Sequence, residues 1–243
     1  MIASLGRFGL FVGTFARASL THRPPVARTL EEAYRIGVRS LPILLVISAF
    51  VGTNLAFQGF YGFRSIGGQA FLGMFVALSG VREMVPIMVA AMVAAKAGTE
   101  MASQIAVMRS REQIEALEVM AVDPYWYLIT PRFLGILLVL PPLTILSIAT
   151  MLLAGWAVVV AQLHQNGQAF LGLAFGSLYT VDFLFATIKG ACFAVIICLV
   201  SCFQGFTSER GPAGVGQATN KAVVYSAMVC AILNYFLSQA LYG

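Results

Sequence analysis

Long apolar blocks alternate with short charged ones along the chain, and the lengths of the apolar blocks predict its elements. A helix needs about 20 predominantly apolar residues to cross the hydrocarbon core of a bilayer. Four blocks reach that length, near 41–60, 133–163, 183–206 and 222–242. A fifth, near 84–108, is apolar in its first half and mixed in its second, while the dozen residues of 69–80 are too few to span and are expected to pack at the outer surface. Pro141-Pro142 should tilt or bend the third span. The pattern predicts an all-α integral membrane protein of about five transmembrane helices, with interfacial helices over 1–40 and one membrane domain over 41–243.

The N-terminal segment imitates a signal peptide, with Arg7 before the apolar run Phe8 to Phe15 and then Ala16-Arg17-Ala18. The cation inside that last triplet argues against cleavage. On a helical wheel Leu5, Phe8, Val12 and Phe15 share one side and Arg7, Thr14 and Arg17 another, as in a helix lying in the membrane interface. A frayed basic tail is the alternative. Residues 29–40, with Glu31, Glu32, Arg35 and Arg39, should form a second surface helix leading into the first span.

Composition confirms the class and charge sets the orientation. Hydrophobic residues make up 59% and charged ones 10% of 243 residues, and mean hydropathy is +0.87. That leaves too little polar surface to cover a soluble globule. The net charge of +5 lies in clusters between apolar blocks, which argues against a nucleic-acid face. Arginines before the first span, Arg109, Arg111 and Arg132 around the loop after the second, and Arg210 and Lys221 before the fifth mark the cytoplasmic side. Five spans of a multi-pass membrane protein, with the N-terminus inside and the C-terminus outside, satisfy every cluster; counting 69–80 as a sixth span would reverse the second cluster.

Within the loop after the second span, Ser110-Arg111-Glu112-Gln113 has the form of a capping box, predicting a helix over about 111–122 that Asp123-Pro124 ends. Ile114, Leu117 and Ala121 share one face; Glu112, Glu115 and Glu118 drift round the other. Such a helix suits coupling to a soluble motor, and resting on the headgroups is the alternative. In the second span Ala90, Ala94, Gly98, Ala102 and Ala106 recur every four residues and invite close helix approach. Lys96, Glu100 and Gln104, joined by Thr99 and Ser103, form a polar stripe that must face protein or a wet cavity. A Lys96–Glu100 pair with a purely structural role is the other reading.

Several blocks occur together in order: Arg82-Glu83-Met84-Val85-Pro86; Ala97-Gly98-Thr99; the run from Glu112-Gln113-Ile114-Glu115-Ala116 through Val122-Asp123-Pro124; Pro131-Arg132; and Gly214-Val215-Gly216-Gln217-Ala218-Thr219-Asn220-Lys221. They resemble the MlaE/YrbE family of permease subunits of ABC-type, MCE-associated lipid transporters, from Leu41 onward. The resemblance implies a homodimeric permease moving phospholipid or related lipid between membranes, working with a cytoplasmic ABC ATPase and an MCE-domain substrate-binding protein. It implies no cofactor in this chain, ATP being bound by the partner. The chain departs from the family pattern where two acidic positions look like Gln104 and Asn234, which puts any proton-linked role in doubt. With the dimeric architecture the resemblance implies, the lipid path is expected to use Leu55, Phe57, Met88 and Met92 as apolar walls, with Lys96, Glu100 and Gln104 deeper. The ATPase contact is expected at Glu112, Ile114, Glu115, Leu117 and Met120.

Other features suggest no chemistry. Cys192, Cys198, Cys202 and Cys230 lie inside apolar runs without metal-site or disulfide-framework spacing. The loop Gly211-Pro212-Ala213-Gly214-Val215-Gly216 lacks the strand and the GK-[ST] ending of a phosphate loop. His22 and His164 fall on opposite sides of the membrane, and Lys189 and Asp182 lie near the outer end of the fourth span, where snorkelling explains Lys189 and neither is assigned a site. No catalytic residue, metal site or ATPase motif is expected. An ion-coupled secondary transporter or channel, and a membrane-embedded lipid enzyme, are the competing classes.

Overall fold

The structure, a computed structural model, describes the backbone of residues 2–21, 25–64 and 67–242 and the side chains of 6–19, 25–64 and 67–242. Among these residues there is no strand. The helices are α1 (Ile2–Thr21) and α2 (Val26–Arg64), then α3 (Gln69–Ser110), α4 (Gln113–Val119), α5 (Tyr125–Ala161), α6 (Gly167–Ser177), α7 (Thr180–Phe206) and α8 (Pro212–Tyr242). Five of them, α2, α3, α5, α7 and α8, are long and apolar enough to cross a membrane.

Three expected boundaries shift. The surface helix 29–40 and the first span are one helix, α2, which continues through Pro42. The short block 69–80 is not a separate surface segment: it opens α3, a helix of 42 residues that runs on to Ser110. Backbone at Ser79, Gly80 and Val85 stays right-handed helical, so nothing stops the chain there, and π turns at Gly80–Met84 and Ala94–Gly98 absorb the irregularity. The glycine-rich stretch after the fourth span is helical from Pro212 onward. Gly211 turns the chain with φ +105° and Pro212 takes the first helical position, where its missing N–H costs nothing. Pro141 and Pro142 both lie inside α5 without ending it.

The chain divides into two compact units. The first contains residues 1–40, 93–139 and 192–230; the second contains 41–92, 140–191 and 231–243.

In the first unit α1 is anchored by Phe11, Phe15 and Ala18, all buried. Phe11 meets Phe203, Tyr125 and Phe206 at centroid distances of 5.5, 5.7 and 5.7 Å, and Phe15 meets Phe133 at 5.3 Å. This corrects the expected interfacial face: Phe8 and Phe15 do face inward, but Phe11 is the buried centre of the stripe while Val12 is half-buried, and Leu5 lies outside the described side chains. Truncating such an aromatic anchor typically costs about 3 kcal/mol. The small-residue stripe of α3 packs as its spacing requires, with Ala94, Ala102 and Ala106 fully buried. A Cβ on Gly98 would stand 2.9 Å from Ser201 Oγ, and one on Gly205 2.9 Å from the Ala102 carbonyl oxygen. Close backbone approach of α3 and α7 is what small residues permit where lipid supplies no hydrophobic drive.

In the second unit the unexpected element is α6. Asn166 caps it, its side-chain oxygen accepting from the backbone N–H groups of Gln168 at 2.9 Å and Ala169 at 3.3 Å. The helix lies against the 72–79 part of α3, where Gly73 touches the Phe170 carbonyl so closely that no side chain would fit.

Candidate functional site: two charge networks and a loop helix

The second unit holds the most deeply buried charge. Lys189 on α7 has 0% exposure. Its three ammonium protons have three acceptors: the Arg82 carbonyl oxygen at 2.6 Å, Ser238 Oγ at 2.7 Å and Glu83 Oε1 at 3.3 Å. Glu83 Oε2 accepts from Asn234 Nδ2 at 2.9 Å, and Ser238 donates onward to the Asn234 carbonyl at 2.8 Å. Beside it, Arg82 Nε donates to Asp182 Oδ1 at 2.9 Å, and Asp182 Oδ2 accepts from the Tyr179 N–H at 2.9 Å. The Tyr242 ring lies 4.8 Å from the Arg82 guanidinium and 5.1 Å from the Lys189 ammonium.

Local sequence explains the key acceptor. Pro86 continues the helix but has no N–H, so the carbonyl four residues earlier, on Arg82, loses its helical donor. Lys189 supplies the replacement. The Arg82-Glu83-x-x-Pro86 order thus places two opposite charges and one freed carbonyl on a π turn. Snorkelling was the wrong expectation for Lys189, because its ammonium is buried and its partners lie on other helices, 49 to 107 residues away in sequence.

The first unit carries a second network. Glu100 Oε1 accepts from Arg39 at 2.8 Å and lies 3.3 Å from Arg35 Nε. Gln104 Oε1 accepts from Arg35 at 3.0 Å and from Arg132 at 3.1 Å, while its Nε2 is 3.4 Å from Glu100. Glu32 completes the ring, 2.8 Å from Arg35 and 3.8 Å from Arg132. The expected Lys96–Glu100 pair does not form: Glu100 is taken by the arginines of α2. Lys96 is exposed on the second π turn and has no ion pair among the described residues.

The expected apolar walls divide. Leu55 is only 5% exposed, near where a Gly80 side chain would project, and so is packing rather than wall. Phe57 and Met92 are half-buried and Met88 is exposed.

The loop helix forms as α4, shorter than expected and capped differently. Ser110 is the last residue of α3, and its hydroxyl accepts from Gly211 N–H at 3.0 Å, so it is not the N-cap. That position belongs to Glu112, left-handed at φ 57° and without a side-chain capping bond. At the other end Ala121 N–H donates to Glu118 O and Val122 N–H to Leu117 O, both at 3.0 Å, a Schellman closure with Ala121 at φ 58°. Arg210 clamps the helix, 2.8 Å from Glu112 and 3.1 Å from Glu115. The Glu115 carboxyl is held below its ordinary value by its own backbone N–H, with Arg210 and Arg109 adding to the effect against partial desolvation. Ile114 is buried within its own chain, contrary to its expected place in a partner groove, and Leu117 is half-buried. The apolar residues that remain available are Met120, 64% exposed, and Val119, 89% exposed; the latter was missed because it falls outside the Ile114–Leu117 stripe.

Five membrane-length helices joined by a polar loop helix, with charge networks between the helices, define a polytopic membrane protein. The model of the family Permease MlaE matches residues 29–240, and the chain belongs to that family. It is similar to the intermembrane phospholipid transport system permease protein MlaE of Haemophilus influenzae, 31% identical over 243 residues covering 99% of this chain and 92% of the relative. A probable ABC transporter permease protein of Rickettsia conorii is 35% identical over 97% of this chain and 91% of its own. Another, of Synechocystis, is 34% identical over 88% and 81%.

Proposed function

We propose that this chain is the membrane-spanning permease subunit of an ABC-type transporter that moves phospholipid or a related lipid between membranes. The observation that carries the reading is the family match over residues 29–240, joined by relatives whose names specify ABC permeases and phospholipid transport. It disfavours the secondary transporter and the lipid enzyme. The subunit works as a homodimer in the inner membrane, N-terminus cytoplasmic and C-terminus periplasmic, with an MCE-domain protein as substrate-binding partner. Energy comes from a separate cytoplasmic ATPase that binds the ATP, and this chain needs no cofactor of its own.

In this reading α4 receives the motor's stroke through Val119 and Met120, while Arg210, paired with Glu112 and Glu115, transmits it to the start of α8. Lys96 is the group for a lipid phosphate, since of the stripe's three main residues it alone has no side-chain ion pair or hydrogen bond among the described residues: Glu100 and Gln104 are occupied by arginines. A charge held in hydrocarbon without a partner costs about 3 kcal/mol, so a site that binds an anion compensates it. Within the second unit, the exposed Met88 offers an adaptable wall to acyl chains, and Phe57 and Met92 there are half-buried. The test is reconstitution with the ATPase: phospholipid should stimulate ATP hydrolysis, and Lys96→Ala should blunt that stimulation without lowering the basal rate. Hydrolysis indifferent to lipid would overturn the proposal.

A further inference from the structure

Beside α4, within the first unit, lies a cavity of about 400 Å³, of whose lining the transport reading uses Glu115 alone. Its floor is aromatic: Phe11, Phe203 and the face-to-face pair Tyr125–Phe206, whose rings are 5.4 Å apart and inclined by 5°. Its charged lining comprises Arg7, Arg109, Glu115 and Glu118. No ion pair among the described residues uses Arg109 or Glu118, whereas Glu115 is already held by Arg210. Leu10, 76% exposed, also lines the cavity and gives it an apolar lip.

We propose that this cavity binds the head of a zwitterionic lipid bearing a primary ammonium and a phosphate, a phosphatidylethanolamine, as a resident ligand distinct from the transported cargo. The ammonium sits between the Glu118 carboxylate and the aromatic floor, where a cation gains from both the charge and the ring faces. The phosphate meets the Arg109 guanidinium, which presents paired donors. An acyl chain leaves over Leu10. An anionic head without an ammonium would leave Glu118 facing phosphate oxygens, and a cation alone would leave Arg109 unmatched, so Arg109 and Glu118 together select a zwitterion. The ligand would tie α1 to α4, because the cavity is shared by Leu10 and Phe11 of the first and Ile114, Glu115 and Glu118 of the second.

The inference rests on the membrane reading of the chain but not on its transport activity. The purified full chain in a non-ionic maltoside detergent, titrated with equal amounts of phosphatidylethanolamine and phosphatidylglycerol, would be examined by native mass spectrometry. Wild-type protein should retain the ethanolamine lipid about tenfold over the glycerol lipid, the weight of one charge-assisted hydrogen bond. Glu118→Lys should abolish or invert the preference, and Arg109→Glu should lower retention of both lipids. Glu118→Gln, which keeps the shape, serves if the lysine variant does not fold, and should lose most of the preference. Excess water-soluble glycerophosphoethanolamine should fail to displace the lipid. Equal retention of the two lipids, a preference untouched by both Glu118 variants, or full displacement by the soluble head would each overturn the proposal. Since no ATP enters the measurement, such a result with ATP-driven lipid transfer intact removes this site alone.

Discussion

The two charge networks are built from similar side chains and reach opposite electrostatic states. Around Lys189 two cations, Lys189 and Arg82, meet two carboxylates, Glu83 and Asp182, with Asn234 as a neutral donor. Around Gln104 three arginines, Arg35, Arg39 and Arg132, meet two carboxylates, Glu32 and Glu100. The first is balanced, with its lysine fully buried and saturated; the second carries one excess positive charge and is partly open. An amide in each place does different work. Asn234 donates to a carboxylate and so fits only while that carboxylate has no second acid beside it. Gln104 offers its oxygen to two guanidiniums, where a carboxylate would gain, and only its Nε2, 3.4 Å from Glu100, favours the amide.

The largest break of this comparison is Lys189→Met. It leaves the Arg82 carbonyl, Ser238 and one oxygen of Glu83 without a donor, and should lower stability by about 2 kcal/mol, read as a fall in melting temperature in detergent. The matching charge change at the open network, Arg39→Met, should cost far less, since Arg39 is more than half exposed and Glu100 keeps Arg35.

Next come the two amide-to-acid exchanges, which should differ in sign. Asn234→Asp sets a second carboxylate against Glu83 and should destabilise by about 1 kcal/mol. Gln104→Glu should be neutral or stabilising by up to about 1 kcal/mol, because Arg35 and Arg132 on the new charge offset its approach to Glu100, now 3.4 Å from Gln104 Nε2. Equal shifts in one direction would dissolve the distinction between the networks.

Arg210→Ala probes the smallest effect. Its pairs with Glu112 and Glu115 are exposed, so melting should hardly move, while the number of ATP molecules used per lipid moved should rise. The pH dependence follows from Glu115. Its carboxyl is lowered from 4.5, so its contribution is present above that value and is lost as pH falls through the lowered one. Acidification below about pH 4 should therefore loosen α4 in the wild type more than in the Arg210→Ala variant, as hydrogen exchange of α4 would register.

Much of the fold was legible because membrane spans are written in local composition. The five spans, the loop helix and the small-residue stripe of α3 all follow from residues within one window, and the structure bears them out. What depended on distant partners was not legible. Lys189 in an apolar run reads as a snorkelling end, and only the fold brings Arg82, Glu83 and Ser238 to its ammonium. Pro86 was the available clue, since it frees a carbonyl that needs a donor. Ser110 satisfied the capping-box pattern, but Gly211 competed for its hydroxyl, and the helix began two residues later than the box predicts. Helix α6 escaped because its eleven residues are too few to span, although Asn166 ahead of Gly167 is a recognisable cap. Of the candidate site, the polar stripe was found, but its pairing was assigned to the nearest opposite charge. The arginines of α2 reach Glu100 instead from 61 and 65 residues away.

The central claim is that lipid movement through this subunit is driven by ATP bound to another chain. It is tested most directly by co-reconstituting the permease, its ATPase and its substrate-binding partner in liposomes carrying a fluorescent phospholipid. The account predicts transfer that requires ATP, stops when the ATPase is inactivated, and falls when Val119 and Met120 of α4 are replaced by serine. Transfer that proceeds without ATP under an imposed ion gradient would contradict it.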